Sequence, residues 1–194
     1  MKPTLVSDVD STVWNTGAWV REAVIEVTGE APNLEAISTW THVLEAYGEE
    51  ATMEIFDRVL SPEKIREREP YPGSAEVLRY VQRERGIRVH FVTRSHDPEA
   101  TKPHLEPWLK EHFGSEVRLT VTTGDKLDIL RGLAAFGLID DRPEILERAA
   151  DAGLWVAAKI QPWNRRLVAE RADVHGFSDW REVPDLLPGS IRSD

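Results

Sequence analysis

Five short apolar runs, residues 4–9, 89–93, 117–121, 136–140 and 154–160, constrain this chain more than any other feature. Each is rich in Val, Ile or Leu with little polar alternation, the pattern of strands buried on both faces of a parallel sheet. Helical periodicity fills the gaps between them. Residues 74–84 place Val77, Leu78 and Val81 on one face, and 98–113, 125–133 and 143–152 each follow a strand. Strands alternating with helices predict an α/β architecture, a parallel five-stranded sheet flanked by helices with right-handed crossovers.

Residues 14–69 break the alternation, because they hold no convincing strand. Trp19, Ala23 and Val27, then Val43, Leu44 and Tyr47, then Met53, Phe56 and Leu60 recur at helical spacing, which predicts a small helical unit inserted after the first strand. Pro70, Pro72 and Gly73 mark the return to the main domain. The expected organisation is a core of residues 1–13 and 70–187, a helical insert of 14–69, and a frayed tail of 188–194.

A chain of 194 residues that is 41% hydrophobic can bury one sizeable core. No run approaches the roughly 18 apolar residues that span a bilayer, and MKPTLVSD runs into a strand rather than a signal peptide's apolar stretch. The expectation is a cytoplasmic protein with no membrane partner. There are no cysteines, so disulfides, thiolate metal sites and cysteine nucleophiles are excluded. A net charge of −10 argues against a nucleic-acid polymer as partner. A small anionic substrate would need local help from a cation.

Ligands of open α/β sheets bind outside the carboxyl ends of the strands. There the first run ends in DVDST with Asp8 and Asp10, the second in FVTRS with Thr93 and Arg94, and the fourth in GLIDDRPE with Asp140 and Asp141. Lys126, in TTGDKLDIL, follows the third. This set suits phosphoryl transfer. One carboxylate can attack phosphorus, and a second can protonate the leaving oxygen and then activate water. Clustered carboxylates repel each other and a phosphate, so they call for a hard, oxygen-loving cation, best matched by Mg²⁺. Lys126 falls in the first turn of its helix, where the macrodipole disfavours a cation by roughly 0.3–1 kcal/mol, so a nearby anion is expected. Thr93, with Ser95 and the Asp97-Pro98 helix start after it, can offer donors to phosphoryl oxygens.

In this order, DVDST, FVTRS, Lys126 and IDDRPE resemble the four motifs of the haloacid dehalogenase-type phosphohydrolase superfamily. The resemblance implies a Rossmann-like core with a C1-type cap at residues 14–69. It implies Asp8 as nucleophile, Asp10 as general acid and base, and Thr93 and Lys126 as the phosphate-binding pair. Asp140 and Asp141, with Asp8 and Asp10, are its metal-side acids. EPYPGSAEVLRYV, IDDRPEIL, QPWNRRL and DWREVPDLL further resemble the 5'-(deoxy)ribonucleotidase family, although Trp163 stands where that family more often has Tyr and the cap does not align. This narrower resemblance implies nucleoside 5'-monophosphates as substrates, with a homodimer as an open alternative to a monomer. Trp14, Trp19 and Trp40 are then candidates to stack a nucleobase.

Other readings remain at this point. The substrate can instead be another small metabolite, such as a sugar phosphate or phosphoglycolate, or the chain can be a non-catalytic phospho-accepting or ligand-binding relative. A hydrolytic dehalogenase is weakened by Asp10, because that chemistry needs no leaving-group acid. Apolar residues at helical spacing are more often core than ligand contacts, Arg94 can bind phosphate or serve a surface ion pair, and Asn164 and Arg165 can close the active site or belong to a plain turn. Asp141 and Arg142 can simply begin a helix at Pro143. The six histidines show no ligand spacing.

Overall fold

A computed structural model of the chain describes residues 2–33, 42–59 and 61–189. Six parallel strands form its sheet: β1 (Thr4–Ser7), β2 (Arg88–Arg94), β3 (Arg118–Thr122), β4 (Ala135–Asp140), β5 (Trp155–Lys159) and β6 (Val174–Phe177), in the order β3-β2-β1-β4-β5-β6. The expected five strands are all present, and β6 is the correction. Its four residues, VHGF, are too short and too mixed to read as a buried run. Gly176 is suited to this edge, since a Cβ there would lie 2.3 Å from Val168 Cγ1.

Successive strand residues serve opposite faces, as a pleated strand requires. Leu5, Val89, Phe91 and Ile139 pack on one face with α4 (Ser74–Arg83) and α5 (Pro98–Phe113). Val6, Val92, Leu138 and Val156 pack on the other with α6 (Lys126–Gly132) and α7 (Pro143–Asp151). Both faces are therefore dry, which explains why the sequence runs do not alternate. A short helix α8 (Arg165–Glu170) leads into β6, and a 3₁₀ turn (Trp180–Glu182) and α9 (Val183–Leu186) close the described chain. Residues 190–194 lie outside the described residues. Among those described, no helix is long and apolar enough to cross a membrane.

Between β1 and α4 the described residues form α1 (Thr16–Thr28), α2 (His42–Val59, broken at Gly48 with φ 78°) and α3 (Pro62–Glu67). They have an apolar cluster of their own, Val20, Ala23, Val24, Ile55 and Val59. The buried stripe differs from the expected one. Trp19, Val27, Tyr47 and Phe56 only flank it, whereas Leu44 is 47% and Met53 63% exposed. Leu60 and the side chain of Val43 lie outside the described residues. The two chain segments that lead into and out of this insert are pinned together, with Trp14 bridged to Pro70 and the Tyr71 N–H donating to the Val13 carbonyl at 2.7 Å.

Candidate active site

Chain direction creates the site. From β1 the chain runs outward through β2 to β3, and β4 to β6 then extend the sheet on the other side of β1. The reversal leaves a crevice at the carboxyl ends of β1 and β4, where open α/β sheets bind ligands. Asp8 follows β1 and Asp140 ends β4. The Asp8 N–H donates to the Ile139 carbonyl at 2.8 Å, so the pairing of these strands continues into the site and fixes the two acids side by side.

Lys126 lies between them. Its ammonium, 1% exposed, donates to Asp140 Oδ2 at 2.8 Å and, at shorter range, to Asp8 Oδ1. This is the compensation that a cation in a helix's first turn requires. Burial opposes the charged lysine, but Asp140 and Asp8 overcome that and hold its pKa above the usual range. One cation cannot balance the acids around it. Burial, with the charges of Asp140 and Asp10 adding and Lys126 opposing, pushes the Asp8 carboxyl up to about 7. Burial and the charges of Asp140 and Asp8 hold Asp141 well above its usual range. The lysine stays charged, and the surplus of negative charge falls on the carboxylates.

The side-chain oxygens of Asp8, Asp140 and Asp141 come within 4.8 Å of one another. Three buried, oxygen-only ligands around an uncompensated negative charge fit a hard divalent cation. Their availability differs. Asp140 Oδ1 accepts the backbone N–H groups of Asp141 and Arg142, both at 2.9 Å, while its Oδ2 holds Lys126. Asp141 Oδ1 has only a 3.4 Å contact from Thr12. Asp141 also lines the central cavity, and Asp140 does not. Asp141 is therefore the freer ligand, and Asp140 shapes the loop and holds the lysine.

Asp10 stands apart from this group, so the structure brings together three of the four acids expected to face a metal. The strand stops at Ser7 and the chain then turns, with the Val13 N–H donating to the Val9 carbonyl at 2.9 Å and Ser11 at φ 54°. The two acids are consequently not neighbours on one extended segment. Asp10 Oδ1 accepts from Trp14 Nε1 and Thr16 Oγ1, both at 3.0 Å, and Oδ2 accepts from Thr93 Oγ1 at 3.1 Å. Asp8, Asp10, Thr93, Arg94, Lys126, Asp141 and Arg142 together line a cavity of about 60 Å³. At roughly 30 Å³ per water, it holds a group of a few heavy atoms and not a whole metabolite.

The tryptophans do something other than offer free faces to a base. The Trp14 ring is 1% exposed, with the Arg68 guanidinium 4.1 Å from its centroid and the Trp108 ring at 4.6 Å. Trp19 is half-buried, lies 5.2 Å from the same guanidinium, and does not line the cavity. Trp40 lies outside the described residues. Arg68 itself gave no signal in the sequence. It is fully buried, its Nη2 donates to the Val59 carbonyl, and burial lowers its pKa to about 10 while the charge of Asp10 opposes the drop.

Asn164, for which the sequence offered both closure of the active site and a plain turn, is fully buried, and its Nδ2 donates to the carbonyls of Asp141 at 2.8 Å and Lys159 at 2.9 Å. Trp163 Nε1 donates to Asp141 Oδ2 at 3.0 Å. The QPWN segment thus grips the loop that carries Asp141.

No protein-family sequence model and no curated protein sequence matches the chain. Solved structures do. A variant of CbbY from Rhodobacter sphaeroides in complex with xylulose-1,5-bisphosphate superposes with a TM-score of 0.64 at 17% identity, covering 94% of this chain and 96% of that one. A protein assigned as a beta-phosphoglucomutase from Bacteroides vulgatus gives 0.62 at 15% identity, covering 95% and 88%. A haloacid dehalogenase-like hydrolase from Xanthomonas campestris gives 0.60 at 14%, covering 95% and 96%. The fold is that of the haloacid dehalogenase-type hydrolases.

Proposed function

We propose that this chain is a divalent-metal-dependent phosphomonoester hydrolase acting on a small phosphorylated metabolite of the sugar-phosphate class. The observation that carries the reading is the convergence of Asp8, Asp10, Thr93, Lys126 and Asp141 on one small cavity at the sheet's reversal point. Asp8 attacks phosphorus to form an aspartyl-phosphate, and Asp10 protonates the leaving oxygen and then deprotonates the water that releases phosphate. Lys126 and Thr93 bind phosphoryl oxygens. Asp8 and Asp141, with Asp140 behind them, would hold Mg²⁺, which when bound neutralises the carboxylates and the phosphoryl charge. Trp14 and Thr16 orient the Asp10 carboxylate. The described helices of the insert, α1 to α3, act as a cap that covers the leaving group, which the 60 Å³ cavity leaves outside.

Two points favour sugar phosphates over nucleotides. The structural neighbours include CbbY bound to a sugar bisphosphate and a protein assigned as a phosphoglucomutase, whereas the nucleotidase resemblance finds no support among them. The rings of Trp14 and Trp19 are also already engaged with Arg68. A phosphate-release screen of sugar phosphates, phosphoglycolate and nucleoside monophosphates, in Mg²⁺ and in EDTA, tests the reading. We expect sugar phosphates to show the highest kcat/KM, EDTA to abolish release, and Asp8→Asn to lower it at least about 10³-fold. Release that survives Asp8→Asn would refute the mechanism, and a preference for nucleotides would return the specificity to the nucleotidase reading.

A further inference from the structure

A much larger cavity, about 610 Å³, lies at the opposite end of the sheet, where Lys2, Arg79, Arg83, Arg88 and Arg118 face it with Glu116 as the one acid. Arg88 and Arg118 are the first residues of β2 and β3, whereas Thr93 is near the end of β2. At about 3.3 Å per residue, this cleft is roughly 17 Å from the catalytic crevice. It belongs to a different site.

Its charge is unusual for this chain. The net charge is −10, with 34 acids available to pair with 24 lysines and arginines. Most arginines elsewhere are paired accordingly, as Arg58 is with Glu26 and Glu54 and Arg171 with Asp151 and Asp173. Among the described residues, Lys2, Arg83, Arg88 and Arg118 have neither an ion pair nor a hydrogen bond from their side chains. A solvated basic face would carry its cations on a convex surface among acids. Here they rim a concave cleft whose floor includes the buried Ile87 and Phe113, and low-dielectric walls focus the field of such a cluster. That field reaches inward to His90, whose imidazole is held below its usual range by burial and then by Arg118 and Arg88.

The walls are fixed. Arg79 Nη2 donates to the His112 carbonyl at 2.5 Å, and Gln82 Nε2 donates to the Phe113 carbonyl at 3.2 Å, tying α4 to the end of α5. The remaining guanidiniums are left to present their planar donor forks to a ligand, a geometry that matches phosphate. We propose that this cleft is a second binding site, for a small, multiply phosphorylated anion. Its volume falls within the range of small-molecule sites, about 300–1,000 Å³. A nucleic-acid polymer fits less well, because the residues outside the cleft are together more negative than the chain's net charge of −10.

Inorganic tripolyphosphate is a suitable probe, titrated calorimetrically into the full chain in metal-free, low-salt buffer. The variants are Arg88→Glu with Arg118→Glu, and separately Lys2→Glu with Arg83→Glu, each checked by thermal melting. None of these residues touches the catalytic crevice. We expect one molecule bound per chain, and affinity at least tenfold weaker in both double variants while Asp8→Asn leaves it unchanged. Equal affinity in the wild type and a folded double variant would overturn the proposal, as would loss of binding in Asp8→Asn alone. A single-stranded 20-nucleotide DNA that binds at least tenfold tighter than tripolyphosphate, and is lost in the same variants, would replace the small anion with a polymer.

Discussion

Asp8→Asn should make the metal-free protein more stable. The folded-state pKa of Asp8, about 7, lies above its ordinary 3.8, so between those values the folded protein retains a proton that the unfolded chain has lost. Stability then falls as pH rises through that window, which is the direction expected when the folded state binds more protons. Three pKa units at about 1.4 kcal/mol each give a ceiling of about 4 kcal/mol, with the opposing charge of Lys126 already included. Asparagine keeps the shape of the side chain and cannot ionise, and Lys126 keeps Asp140 as its partner. Asp141 also loses one of the charges that raise its own pKa. At pH 8 in EDTA the variant should therefore unfold up to about 4 kcal/mol later than wild type in urea. That corresponds to a melting point about 10 °C higher for a chain of this size. At pH 4.5, where the unfolded chain regains part of that proton, the gap should narrow to about 1 kcal/mol, and Mg²⁺ should raise the wild type more than the variant. Urea titrations followed by circular dichroism at the two pH values measure this. A variant no more stable than wild type at pH 8, or an equal gap at both pH values, would refute the assignment of surplus negative charge to this cluster.

Two further perturbations separate catalysis from architecture. Trp14→Phe keeps a ring between Arg68 and Trp108 but removes the donor to Asp10, so kcat should fall about 10- to 100-fold, the equivalent of one hydrogen bond to a charged group, with KM nearly unchanged. Steady-state kinetics with the best substrate from the phosphate-release screen decide it, and an unchanged kcat would remove Trp14 from the machinery. Asn164→Leu leaves the Lys159 carbonyl and the Gln161 N–H without their buried partner, which should cost about 3 kcal/mol or more in urea unfolding and weaken Mg²⁺ binding through the Asp141 loop.

The fold was largely legible because parallel strands buried on both faces need continuous apolar runs, and such runs are local features. β6 escaped because an edge strand of four residues, with a glycine fitted against Val168, has no such run. The insert was recognisable as helical, but its buried face was not. Which side of α1 and α2 is dry depends on how the two helices meet, and Val20 and Ile55 are chosen by that meeting and not by spacing alone.

The same division runs through the site. Sequence by itself determined that Asp8, Asp10, Thr93, Lys126, Asp140 and Asp141 stand at or just after strand ends, because a strand's end and the acid after it are neighbours in the chain. Tertiary structure decided what each can do. Strand order set β1 beside β4 and placed Lys126 between Asp8 and Asp140 across 118 and 14 residues of chain. The turn after Val9 withdrew Asp10 from the cluster of Asp8, Asp140 and Asp141 and handed it to Trp14, Thr16 and Thr93. Burial then separated Asp140, with both oxygens committed, from Asp141, which faces the cavity. Adjacent residues of the same type differ here because hydrogen bonds and desolvation act through space, and the sequence records only order along the chain.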